Sequence, residues 1–249
     1  MPLDEIWDFV EPYFADPPFP TASEAENSPV LGVPWQLYRF MSDITQLTHR
    51  LPLNALDFQA AVALSERLDA WEYTAELDEE SAITSNAPTL TSRYKQRARL
   101  FIIALRILLL KLIYQDTFAS DPCVQEYVSQ AVRLVQLHVT ERFHFWPLLI
   151  VGSAVLRRDQ ANIIGRILQD ISQTMRSATF LNVIRVLEAI WENTIMDDGS
   201  QGAVVRTDQL SLQTADGLDL LLGRDGVPGL INCEQNLQAR DTGTSIRVI

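Results

Sequence analysis

His49, His138 and His144, Cys123 and Cys233, and two runs of carboxylates are the residues of this chain whose types suit metal binding or proton transfer. A metal site needs its ligands on one face, as in a helical HExxH or closely spaced cysteine pairs. No HExxH pattern occurs, and the separation of His138 and His144 puts them on opposite faces of any helix running through both. Cys123 and Cys233 are too few and too distant for an all-cysteine zinc site or a disulfide framework, which points to a reducing, intracellular compartment. Asp78-Glu79-Glu80 and Asp197-Asp198 lack the DDxxD arrangement by which helical enzymes hold magnesium. Both adjoin loop-like sequence and read as solvated acids.

Nucleophilic and cofactor chemistry find no better footing. Val151-Gly152-Ser153-Ala154-Val155 lacks the second glycine of a nucleophile elbow and lies within a helical pattern, so Gly152 and Ser153 read as small residues that let helices approach. The glycines at 223, 226 and 229 do not form the dinucleotide fingerprint and read as a turn-rich connector. Arg93, Lys95, Arg97 and Arg99 form the best nucleic-acid or nuclear-import candidate. Their alternation spreads charge around a helix, which favours a solvated helix start. The residues therefore assign no catalytic, cofactor-binding, metal or DNA-binding role, and imply no cofactor.

The formal charge of −12 and a pI near 4.6 repel phosphate backbones, so direct DNA binding by this chain is not expected. A 47% hydrophobic and 21% charged composition is that of a globular protein. The start MPLDEIWDFVEPYF carries acids where a secretory signal needs basic residues. The most apolar stretch, Leu100–Tyr114, falls short of the roughly 20 residues of a membrane span. Arg106 and Lys111 interrupt it, so it reads as a buried central helix and no membrane association is expected.

Periodicity then sets the elements. Residues 1–33 form an extended acidic, proline-rich arm in which Trp7, Phe9, Tyr13, Phe14 and Phe19 mix with acids. Such a mixture can dock into a partner's groove, although the preferred reading packs these aromatics on the chain's own domain. Pro34 opens a helix with Leu37, Phe40, Met41, Ile44 and Leu47 on one stripe. Asn54 caps a second helix, with Asp57 three residues on and Leu56, Ala60, Ala63, Leu64, Leu68 and Trp71 as its apolar pattern. Further helices are expected over 91–115 and, after Asp121-Pro122, over 123–139. Pro147 is expected to open one running through Arg158, Asp159 or a neighbour the next, and a last one covers 180–195. A glycine-rich, partly ordered tail, 196–249, has short elements expected near Ala203–Val205 and Leu218–Leu222. The fold class is all-α, an irregular array of antiparallel helices over 34–195, with an extended arm before it and a loop-rich tail after it.

Phe143–Trp191 reads FHFWPLLIVGSAVLRRDQANIIGRILQDISQTMRSATFLNVIRVLEAIW. Trp146, Pro147, Leu148, Gly152, Arg158, Ile163, Ile164, Asn182, Val183, Leu187, Glu188 and Trp191 recur in the order and spacing of the regulatory domain of fungal zinc-cluster transcription factors. The chain resembles that family over about residues 28–195. The resemblance implies a nuclear helical regulatory domain, non-enzymatic, behind a six-cysteine zinc cluster that reads DNA, and members of this family often serve secondary-metabolite gene clusters. Two cysteines cannot build that cluster. The chain is therefore expected to be a truncated gene product, an excised fragment or a shortened paralogue. Its expected partners are the transcription machinery or related regulators, in a homo- or heterodimer. The alternatives are a free-standing helical protein that dimerises with and modulates full-length regulators, and, less favoured, a small helical ligand-binding protein or enzyme.

Overall fold

A computed structural model describes residues 32–74, 90–114, 116–137, 145–176, 178–195 and 217–222, together with Pro12. Gly32, at φ 66°, turns the chain into the first helix in a conformation that a side chain would strain. Helix α1 (Trp35–Thr48) then buries Leu37, Phe40, Ile44 and Leu47 as a single stripe. Pro34 caps this helix without being part of it, its carbonyl accepting from the Leu37 N–H at 3.1 Å.

Helix α2 (Ala55–Thr74) starts as the Asn54 and Asp57 spacing predicts. Asn54 Oδ1 accepts from the N–H groups of Leu56 and Asp57, both at 2.9 Å, and Asn54 Nδ2 donates to Asp57 Oδ2 at 2.6 Å. Arg50 donates to the other Asp57 oxygen at 3.0 Å. These bonds hold Asp57 inward and so decide which face of α2 is inside. The buried line runs Asp57, Ala61, Leu64, Leu68, while Leu56, Ala60 and Ala63, expected on the apolar stripe, are exposed.

Helix α3 (Leu90–Ile113) is buried all round over its central residues, which marks a helix surrounded by others. It packs against α1, α2, α4 (Pro122–Leu137) and α5 (Phe145–Ser153). Among the described residues no helix is long and apolar enough to cross a membrane. Helix α4 buries Val124, Val128, Ala131, Val132 and Val135. Pro122 is the first helical residue of α4 and the Asp121 carbonyl accepts its first bond, from the Gln125 N–H at 3.0 Å, as expected, while the Asp121 carboxylate accepts from the N–H of Phe118 at 2.8 Å and closes the preceding turn.

Helix α5 departs further from expectation: it begins before Pro147 and ends at Ser153, well short of Arg158. The stop is local. Ser153 Oγ donates to the Ile150 carbonyl at 2.7 Å, and the N–H groups of Ala154 and Val155 turn back onto Val151 and Gly152. Gln125 of α4 donates to both the Ala154 and Ala119 carbonyls and fixes the chain as it leaves the helix.

Helix α6 (Arg158–Met175) has the cleanest amphipathic spacing, burying Ala161, Ile164, Leu168 and Ile171 with Gln160, Ile167 and Ser172 beside them. Its first turn carries Asp159, favourable at the positive end of the helix dipole. Helix α7 (Ala178–Thr194) packs against α6 and α5, and the short α8 (Gly217–Leu222) lies against α5 and α7 with Leu218 and Leu221 buried. The described residues contain no strand. The fold is all-α, a multi-helix array around α3 and α5. The aromatics of the acidic arm, Ala203–Val205 and the glycines at 223, 226 and 229 lie outside the described residues.

Candidate functional site

The two cations inside the apolar run of α3 organise the neighbouring helices. A charge in a core must find partners, because leaving it unpaired costs several kcal/mol or expels it. Arg106 meets α2: its guanidinium donates to Asp69 Oδ1 at 2.9 Å and to Glu72 Oε2 at 2.5 Å, and it lies 6.0 Å from the Tyr127 ring centroid of α4. Burial alone would lower the Arg106 pKa, but Glu72, then Tyr127 and Asp69, outweigh it and the net shift is upward. This guanidinium stays charged and ties three helices together.

Lys111, one turn further along, is only 1% exposed. Its ammonium stands 2.9 Å from Asp219 Oδ1 of α8, donates to the Thr117 carbonyl at 2.5 Å, and sits 5.3 Å from the centroid of the Phe118 ring. The Lys111–Asp219 approach is an ion contact without the alignment of a good hydrogen bond, so its attraction is chiefly coulombic. Two cations inside a buried helix require carboxylates from elsewhere, but sequence pattern alone does not choose among 32 acids.

Between α2, α3 and α4 these contacts frame an open cleft of about 520 Å³. Val62, Leu109, Leu110 and Ile113 form apolar wall, and Ser65, Glu66, Asp69, Arg106, Tyr114 and Tyr127 supply polar groups.

The residues singled out for chemistry do not converge here. His49 and Cys123 are exposed on separate elements, while His138, His144, Cys233 and both carboxylate runs lie outside the described residues. Among the described residues no group of three or more His, Cys, Asp or Glu is placed to hold a metal ion. The basic run at the start of α3 is not the freely solvated face expected. Arg93 is exposed, but Lys95, Arg97 and Arg99 are half-buried, alternating with buried Tyr94, Gln96 and Ala98. The helix is enclosed by packing from its first turns, which draws those stems inward.

The recurrent positions of 146–191 are mostly packing positions. Trp146 stacks on Phe101 of α3, centroids 5.9 Å apart and planes at 21°. Trp191 is buried, its Nε1 donating to the Gly152 carbonyl at 2.8 Å, and its ring edge lies 3.5 Å from where a Cβ on Gly165 would stand. A Cβ on Gly152 would come within 2.7 Å of Leu187 Cδ1. Leu148, Ile164, Val183 and Leu187 are buried, whereas Arg158 and Glu188 are exposed.

Residues 9–207 match the family described as the fungal specific transcription factor domain. No curated protein and no solved structure is significantly similar to the chain.

Proposed function

Since the chain belongs to the fungal specific transcription factor domain family, we propose that it is a nuclear, non-enzymatic regulator that acts through protein contacts of its helical domain. The family match across the packed helices carries this reading. It is supported by a charge of −12, unsuited to counterion release from DNA, and by two cysteines where a six-cysteine cluster would be needed for zinc-dependent DNA reading. On this reading DNA contact comes from outside these residues, through a component of the transcription machinery, a related regulator with which the chain dimerises, or a DNA-binding segment of a longer protein. The regulated genes are those of a secondary-metabolite cluster. Fusing the chain to a heterologous DNA-binding domain tests the regulatory role: a reporter activated or repressed relative to the DNA-binding domain alone is expected. An unchanged reporter, with the fusion present in the nucleus, would overturn it.

A further inference from the structure

We propose that the cleft between α2, α3 and α4 binds a small amphipathic cation, an organic amine with an apolar body. Its volume of about 520 Å³ is in the range of small-molecule sites, and its apolar wall is formed by Val62, Leu109 and Ile113. The polar groups select the sign of the ligand. Arg106 is already engaged by Asp69 and Glu72, so the cleft has no cation to spare for an anionic ligand. Glu66, by contrast, lines the same cleft and makes no ion pair or hydrogen bond among the described residues. Two phenol rings, Tyr127 and the 62% exposed Tyr114, stand at the cleft with it.

A free carboxylate, an exposed phenol ring and an aliphatic wall are the chemistry that recognises a protonated amine: Glu66 neutralises the ammonium, the Tyr114 ring stabilises it by cation–π attraction while Tyr127 already carries Arg106, and the wall takes the apolar body. A carboxylate-bearing ligand would instead face Glu66 and Asp69 with one guanidinium already neutralised by Asp69 and Glu72. Asp69 serves both the cleft and Arg106, so an amine bound there also touches the clamp that joins α2 to α3.

Titration calorimetry of the full chain with n-octylammonium, n-octanol and n-octanoate, each below its aggregation concentration, tests this. Saturable binding of octylammonium is expected, with octanol weaker and octanoate absent. Glu66→Gln should weaken octylammonium by roughly fivefold, the scale of one exposed ion pair. Tyr114→Ala should weaken it also. Both side chains are exposed, so thermal melts of the variants should match the parent and separate lost binding from lost folding. Octanol binding as tightly as octylammonium, an unaltered affinity in Glu66→Gln, or no saturable binding would each overturn the proposal. So would occupancy by a basic amphipathic peptide where the small amine fails.

Discussion

The indole Nε1 of Trp191 donates to the carbonyl oxygen of Gly152 across 2.8 Å of buried core, joining α7 to the last turn of α5. The same carbonyl accepts from the Val155 N–H at 3.3 Å, so the indole supplies the shorter of its two bonds. Trp191→Phe keeps an aromatic ring but removes the donor and part of the volume. A loss of roughly 2–3 kcal/mol is expected from the hydrogen bond and the void together. Urea unfolding followed by circular dichroism, with an unchanged slope, measures it; a loss within experimental error would show that Val155 and local repacking suffice.

Gly217 reports on the docking of α8. A Cβ there would lie 2.1 Å from the Ser153 carbonyl oxygen and 2.9 Å from Ile190 Cγ2. The first obstacle is backbone, held by the end of α5, so the short helix itself must move. Gly217→Ala should displace α8, seen as faster amide exchange at Leu218 and Leu221 while the amides of α3 remain protected. Equal protection at Leu218 in both proteins would mean that the contact relaxes without undocking.

Much of this architecture is legible in the sequence, and the failures have specific causes. α6 is readable because one face carries nearly every aliphatic residue, so the 3.6-residue period is uncontested. α2 misleads because Leu56 is as apolar as Leu64, and a hydrogen-bonded Asp57 settles which side faces in. α5 misleads at its end because Ala154, Val155 and Leu156 suit a helix. Its termination is set by Gln125, distant in sequence, and by turns onto Val151 and Gly152. The cleft escapes notice for a similar reason. Its acids come from α2 and its rings from α4 and the residue just after α3, and each looks like an ordinary surface residue until the helices pack.

Asn54 should account for a measurable share of α2. Its Oδ1 satisfies two N–H groups that the helix start would otherwise leave to solvent. Asn54→Ala is expected to cost about 1 kcal/mol, and Asn54→Asp, which keeps the acceptor at the positive helix end, clearly less. Chemical denaturation of the three proteins ranks them. Asp falling with Ala would indicate that repulsion from Asp57, which lies 2.6 Å from the Asn54 amide, outweighs the cap.

Lys111 and Asp219 should behave as one unit. Replacing Lys111 with Met removes the ammonium that faces Asp219 and Thr117 and leaves the Asp219 carboxylate, nearly buried, without its cation. Breaking a buried pair from one side costs about 3–5 kcal/mol, whereas replacing both members with apolar groups is often near neutral. Lys111→Met alone should therefore be strongly destabilising, and adding Asp219→Leu should restore much of the loss. The double-mutant cycle separates this from a simple packing effect, because independent sites would add. If the second substitution deepened the loss, α8 would depend on Asp219 for more than balancing Lys111. If Lys111→Met were itself neutral, the ion contact would contribute nothing to holding α8 against the core.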